Sequence, residues 1–252
     1  LFRSPVKNTS AGIDFVNRHS LVNENQFEER LGILDSLNQQ FKQDFGSKDS
    51  QAYTDTYQGS LRFMNSQDID AFKLDHENEH IIKLYDKQEF SRSCMLAGRL
   101  VERGVRYVKV ELGGWDYHDQ IYGKLPSNAS KLDKGLSSLL MHLSQKGLLE
   151  STLVVVSTEF GRKPGINPNQ GRDHHPDGFT CLLAGAGVKA GQIYGTTTKD
   201  GQAAADQVLD VIDFNATIAW SLGIDPSTEE NSASGQPFKL ANSGEARTDL
   251  FT

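Results

Sequence analysis

The stretch VRYVKVELGGWDYH, residues 105–118, runs from an apolar-rich segment into a polar cluster. Its first part, Val105–Leu112, is rich in β-branched residues and predicts a strand. Gly113 and Gly114 allow the backbone to turn sharply. Asp116 and His118 follow two residues apart, a spacing that places both side chains on one face of an extended segment. Their oxygen and nitrogen atoms suit zinc, manganese or another divalent ion, although a capping aspartate and a solvent-facing histidine would give the same pattern.

A second polar cluster follows the apolar run Thr152–Ser157, which predicts a strand buried on both faces in a parallel sheet. Glu159 comes directly after it, as a ligand, a base or a cap for the next segment. Arg162 is its natural partner, or the partner of an oxyanion such as phosphate or sulfate, which arginine binds through two donors. A plain ion pair between Glu159 and Arg162 is the alternative without chemistry.

The third cluster, Gly171–Pro176, contains an arginine, an aspartate and two adjacent histidines. Neighbouring side chains point in different directions, so we expect at most one of the two histidines to join a site. Ligands of open α/β sheets bind at the carboxyl ends of strands. The three clusters all follow predicted strands, and this is therefore the part of the chain where we expect chemistry.

Strands and helices alternate from about residue 88 onward, which predicts an α/β fold with a mainly parallel sheet. Apolar residues recur at helical spacing over the first third, from Ile13 to Phe45 and again to Met64. We therefore expect residues 1–75 to form a helical flank or cap beside the domain of residues 76–252. The other predicted elements are helices Gln88–Arg103, Ser130–Lys146 and Val208–Leu222, a strand Phe179–Ala184 and an edge strand Gln192–Gly195.

Composition narrows the classes of function. The net charge is −7 and the isoelectric point about 5.5, so the chain has no basic footprint for nucleic acid. No apolar run approaches the roughly 18 residues that a membrane-spanning helix needs. Cys94 and Cys181 are interpreted as buried small apolar residues. The chain begins at Leu1 rather than at a methionine, and we expect it to be a portion of a longer protein.

Four motifs follow one another in an order that resembles the bacterial DUF1501 family: Arg99–Arg106, Gly113–His118, Thr158–Arg162 and Gly171–His174. The notation stands for "domain of unknown function 1501", a sulfatase-like branch of the alkaline phosphatase superfamily. The resemblance is strong over about residues 88–240. It implies a three-layer α/β/α sandwich, export from the cytoplasm, and a metal site that hydrolyses phosphate or sulfate esters.

The resemblance also implies roles for particular residues. Asp116, His118 and His174 match the positions that hold one divalent metal, which would be zinc, with calcium or manganese as alternatives. Phe160 stands where many members carry a ligand for a second metal, and it cannot ligate. The catalytic positions are Glu159 as ligand or base, with Arg162 and Arg172 neutralising the oxyanion. The family's opening strand and nucleophile segment have no counterpart in the chain.

Two functions follow from these expectations. The first is a metal-dependent hydrolase, or the C-terminal portion of one, that acts on a small anionic ester or glycan. The second is a non-catalytic protein of the same fold that binds a sulfated or phosphorylated glycan or a partner protein. Either one is compatible with a homo-oligomer formed through the helical first third.

Overall fold

The structure is a computed structural model that describes residue 9 and residues 19–45, 48–232 and 234–252. The chain divides into two compact units. The first comprises residues 1–111 and 134–139, and the second comprises residues 112–133 and 140–252. The predicted boundary between residues 75 and 76 stays a prediction. Within the described residues, no helix combines the length and the apolar character needed to cross a membrane.

The helices of the described residues are α1 (Glu24–Phe45), α2 (Lys48–Met64), α3 (Glu79–Ile82), α4 (Glu89–Glu102), α5 (Ile121–Gln145) and α6 (Val211–Ser221). The strands are β1 (Val154–Val156), β2 (Gly161–Arg162), β3 (His174–His175), β4 (Leu182–Ala184), β5 (Thr196–Thr197), β6 (Ala204–Asp206), β7 (Glu229–Asn231) and β8 (Pro237–Lys239). Short 3-10 helices cover Gln67–Phe72, Leu74–His76, Leu149–Ser151 and Thr248–Leu250.

The core of the first unit packs around α4. Its buried side chains are Leu74, Ile81, Tyr85, Cys94, Met95 and Leu96. Arg99 is also nearly buried, and it pairs with Glu77 at 2.6 Å while donating to the carbonyls of Asp70 and Ala71. These partners satisfy a charge that would otherwise be costly to bury. Burial raises the pKa of the Cys94 thiol to about 12, so this cysteine is an inert core residue.

Helix signals from residue 88 onward identify three helices of the structure, α4, α5 and α6. The predicted helix Gln88–Arg103 is confirmed as α4, which ends at Glu102 and is followed, after the C-cap Arg103, by Gly104, whose φ of 79° suits glycine. There the Gly104 and Val105 amides donate to Val101 and Leu100, which closes the helix end. The predictions for α5 and α6 find the right helices, but α5 begins at Ile121 instead of Ser130 and α6 at Val211.

The first-third helices are confirmed within the described residues as α1 and α2. Asn23 caps α1: its side chain accepts from the Gln26 amide at 2.9 Å, while the Gln26 side chain accepts from the Asn23 amide at 3.1 Å. This reciprocal pair satisfies two amides that have no partner inside the helix. The predicted helical positions Ile13 and Val16 lie outside the described residues.

The prediction of an α/β/α sandwich on a mainly parallel sheet is wrong. The strands of the described residues form four two-stranded sheets, β1–β4, β2–β3, β5–β6 and β7–β8, and all four pairs are antiparallel. Each strand is two or three residues long. The physical reason is that the apolar run at β1 pairs with a strand running in the opposite direction, Leu182–Ala184, instead of entering a wide sheet.

Two predicted strands are absent from the described part of the chain. Val105–Leu112 is irregular backbone, and so is Gln192–Gly195, which is followed by β5. β-Branched content is a preference for a pleated, half-buried surface, and it forms a strand only where a partner strand is available. Here the preference of Val105–Leu112 finds no ladder partner among the described residues.

Candidate metal centre

A short antiparallel pairing brings two distant parts of the second unit together. The Arg172 amide donates to the Tyr117 carbonyl at 2.9 Å, and the Ile121 amide donates to the Gln170 carbonyl at 2.9 Å. Asp119 and Gln170 form an antiparallel bridge between these two bonds. The pairing therefore places the segment that carries Asp116 and His118 beside the segment that carries His174.

Gly171 makes this close approach possible. A Cβ at that position would lie 2.0 Å from the carbonyl carbon of His118 and 2.2 Å from its oxygen, distances that no side chain can occupy. The backbone of His118 thus packs directly on the backbone of Gly171. The site depends on a glycine here because of space, since the φ of Gly171 is not positive.

The β2–β3 pair adds an arginine to this group. In its register Arg162 lies opposite His174, and Gly161 lies opposite His175. Successive side chains of a strand point to opposite faces, and accordingly His174 is about half exposed while His175 is buried. His174 is therefore the member of the histidine pair that faces the cluster.

Asp116, His118 and His174 form a triangle of possible ligand atoms. Asp116 Oδ1 lies 3.1 Å from His118 Nε2 and 3.0 Å from His174 Nε2, and the two Nε2 atoms are 3.1 Å apart. The side chains are between 45% and 67% exposed, so a ligand can reach the triangle from solvent.

These separations fit one divalent cation. Oxygen and nitrogen atoms bound at about 2.0–2.2 Å to the same ion lie about 3.0–3.5 Å from one another. Two imidazoles and one carboxylate are a ligand set that zinc and other first-row divalent metals accept. Three protein ligands leave coordination positions open, which is the arrangement of catalytic rather than structural zinc sites.

Asp173 and Asn167 orient His118 from behind. His118 Nδ1 lies 3.1 Å from Asp173 Oδ1, and Asn167 Nδ2 donates to that oxygen at 3.1 Å and to the His118 carbonyl at 2.9 Å. A neutral His118 that donates Nδ1–H to Asp173 presents the Nε2 lone pair to the triangle. A carboxylate behind a ligating histidine is the usual support of protein metal sites.

Hydrogen bonds keep both carboxylates ionised. The bond from His174, followed by the one from Arg162, lowers the pKa of Asp116 to about 2. The Asn167 amide and then His118 hold the pKa of Asp173 below its usual value. Since donors to a carboxylate favour its charged form, both groups carry a negative charge at neutral pH.

Arg162 completes the cluster. Its Nη2 donates to Asp116 Oδ1 at 2.6 Å, and its Nη1 donates to the Arg172 carbonyl at 3.2 Å. The Phe160 ring lies 4.3 Å from the His174 ring and 5.9 Å from the Arg162 guanidinium carbon. Phe160, which cannot ligate, therefore packs against two members of the cluster.

Two of the six predicted site residues are not brought into the cluster through their side chains. Glu159 is exposed, and within the described residues it makes no hydrogen bond or ion pair with the triangle. Arg172 reaches the site through its backbone, which donates to Tyr117 and accepts from Arg162. The other four, Asp116, His118, Arg162 and His174, lie together.

Sequence reasoning did not assign roles to Asp173, Asn167 and Gly171. Asp173 was visible as part of the third cluster, and its position next to His174 is a signal for a supporting carboxylate. Asn167 stands alone in a loop, and the packing role of Gly171 requires knowledge of the segment it meets. Neither of these carries a signal in one sequence.

The chain belongs to the family described as "Protein of unknown function (DUF1501)", whose profile matches residues 3–251. Neither the curated proteins nor the solved structures compared with the chain gave a significant match. Membership in the family agrees with the resemblance carried by the four motifs.

The close packing at Gly171 generates a prediction about stability. Replacing Gly171 with alanine should lower the free energy of unfolding by about 1–3 kcal/mol, because the new methyl group has to displace the His118 backbone. Urea unfolding of the purified protein measures this change.

Gly165→Ala is the matched control, because a Cβ at Gly165 meets nothing within 4 Å. This variant should unfold at the wild-type urea concentration. Equal midpoints for the two variants would show that the backbone contact between Gly171 and His118 is not a constraint on the fold.

Proposed function

We propose that the chain binds one divalent metal ion, preferably zinc, and hydrolyses phosphate or sulfate esters with it. The observation that carries this proposal is the triangle of Asp116 Oδ1, His118 Nε2 and His174 Nε2, with edges of 3.0–3.1 Å. Two nitrogen ligands favour zinc or manganese over calcium, which takes oxygen ligands.

The neighbouring residues support an anionic substrate. A divalent cation held by the triangle would supply Lewis acidity to an oxygen of the ester. Arg162 places a guanidinium beside the same three side chains, where it can neutralise charge that develops on the oxyanion. Asp173 and Asn167 hold His118 in one orientation, so that the site needs little rearrangement to act.

Water is the nucleophile in this proposal. Among the described residues, no hydroxyl or thiol side chain hydrogen-bonds to Asp116, His118, His174 or Arg162. The substrate class comes from the resemblance to sulfatase-like enzymes, and it is retained here without the sandwich fold that the structure contradicts. The reaction adds water to the ester and releases an alcohol and inorganic phosphate or sulfate.

A non-catalytic role is the second candidate. One observation favours it: within the described residues, neither Glu159, the predicted base, nor the guanidinium of Arg172 hydrogen-bonds to the cluster. The same metal and Arg162 would then bind a sulfated or phosphorylated glycan or a partner protein without turnover.

Metal content tests the site itself. Purified protein dialysed against zinc should retain about one ion per chain by elemental analysis, and Asp116→Ala should lose it, because the variant lacks one of three ligands. His80→Ala is the control, since His80 is exposed and outside the triangle. Unchanged zinc in Asp116→Ala would contradict the site assignment.

The supporting role of Asp173 gives a second measurement. Asp173→Asn should weaken zinc binding by about 10–100-fold, because asparagine no longer fixes the His118 ring as a carboxylate does. Isothermal titration with zinc chloride measures the affinity. Asp177→Asn is the matched control, because Asp177 comes no closer than 4.0 Å to a histidine ring and that ring belongs to His175. Equal affinity in the two variants would remove Asp173 from the site.

Turnover separates the two candidate functions. If the chain is a hydrolase, it should release nitrophenol from an aryl phosphate or an aryl sulfate, a chelator should abolish the reaction, and zinc should restore it. His118→Ala, assayed in parallel, should show no metal-dependent turnover. If the protein binds zinc but hydrolyses neither the aryl phosphate nor the aryl sulfate, the non-catalytic binding role would be favoured.

A further inference from the structure

Three groups face one oxygen of Asp116. The Arg162 guanidinium donates to Oδ1 at 2.6 Å, and the same oxygen lies 3.0 Å from His174 Nε2 and 3.1 Å from His118 Nε2. A carboxylate oxygen offers about two lone-pair positions. A cation bound between the two histidines and Asp116 would therefore compete with Arg162 for this oxygen.

Arg162 is poorly placed to lose its partner. Its side chain is 21% exposed, whereas that of Asp116 is 67% exposed. Asp116 is the carboxylate with which Arg162 forms an ion pair in the described part of the chain. A largely buried charge that loses its counter-charge is strongly unfavourable. An arginine released from Asp116 would thus favour the arrival of another anion.

The rest of the site holds the guanidinium in place when Nη2 is released. Nη1 donates to the Arg172 carbonyl at 3.2 Å, and the β2–β3 register fixes Arg162 opposite His174. The freed Nη2 would therefore remain beside the triangle. A planar guanidinium in that position matches the oxygens of a tetrahedral oxyanion.

We propose that Arg162 is an anion receptor that becomes available only when Asp116 turns its oxygen to a divalent cation. In the metal-free protein the guanidinium of Arg162 is paired with the carboxylate of Asp116. In the metal-loaded protein Arg162 binds the oxyanion of a phosphate or sulfate ester. This inference rests on the proposed metal site and deepens it, because it makes the cation and the oxyanion bind cooperatively and sets their order.

The experiment measures zinc affinity with and without an anion. Zinc chloride is titrated calorimetrically into the metal-free protein, alone and with millimolar phenylphosphonate or sodium sulfate. In the wild type, the preferred anion should tighten zinc binding by about 5–150-fold, the usual range of coupling between two sites. The phosphonate and sulfate arms show whether the site prefers a phosphate or a sulfate ester.

Arg162→Gln should change both the zinc affinity of the metal-free protein and the effect of the anion on that affinity. Zinc alone should bind more tightly than to the wild type, because the competing cation is gone. The effect of the anion should fall below about twofold, which is less than the usual coupling. Lys163→Gln removes a neighbouring exposed charge and should retain the wild-type coupling. Arg162→Lys keeps the charge but lacks the planar guanidinium, and it should give an intermediate coupling between zinc and the anion. This variant still tests the proposal if Arg162→Gln folds poorly.

The outcomes separate this inference from the proposed function. Wild-type coupling in Arg162→Gln, or zinc affinity no tighter than in the wild type, would overturn the arginine release while leaving the metal site intact. A wild-type protein that binds no zinc would overturn the metal site and the release together. An equal loss of coupling in Lys163→Gln would show that only the general charge matters, which also contradicts the proposal.

Discussion

The site depends on the backbone pairing between residues 117–121 and residues 169–172. It joins segments some 50 positions apart through direct hydrogen bonds and through the close approach of Gly171 to His118. Gln120 and Gln170 both have positive φ, 42° and 60°, in this pairing. Such a conformation costs about 1 kcal/mol or more for each side-chain-bearing residue, and it persists because the surrounding contacts determine it. The same pairing also begins α5, because the Gln120 and Ile121 amides donate to the paired segment.

The charged side chains of the two paired segments then determine which ligands these segments can bind. Asp116 receives bonds from His174 and Arg162, and these bonds lower its pKa to about 2. Because the folded-state pKa lies below the ordinary value, the bonds stabilise the fold above that value and lose their effect as the pH falls towards 2. At neutral pH the carboxylate is therefore ionised, and it can accept a cation without first releasing a proton. Asp173, whose pKa is also lowered, is in the same state behind His118.

The sequence predicts the helices well because their signals are local. The glycine after α4 and the reciprocal cap at Asn23 and Gln26 act within a few residues of the helix ends that they define. The start of α5 is not predicted because its first turns contain Gly123 and Pro126, which disfavour a helix, and because its first amides are held by the distant residues Asn169 and Gln170. The prediction of a mainly parallel sheet is wrong for a related reason. Strand content is local, but the direction and number of partner strands are not, and β1 pairs antiparallel with β4.

The same distinction between local signals and long-range pairing applies to the site residues. Asp116 and His118 are two apart, so their common face could be expected from spacing alone. His174 came from the resemblance to the family and from the rule that adjacent side chains diverge, and the structure places it with them. Glu159 and Arg162 were expected on equal grounds, but only Arg162 lies in the register of β2 opposite His174. Residue type and spacing identify candidates, whereas strand register selects among them.

Local charge, rather than the charge of the whole chain, determines which ligand this surface favours. The chain carries a net charge of −7, which by itself would disfavour an anionic ligand. At the cluster, however, the carboxylate of Asp116 faces a guanidinium and two imidazoles, and the carboxylate of Asp173 lies behind His118. A bound divalent cation would add two positive charges at this point, and charges within a few ångströms outweigh those beyond a screening length of about 10 Å. In the proposed order of binding, Asp116 is used first, by a cation, and Arg162 is left for an anion, so the ligand class would follow from how these groups are paired.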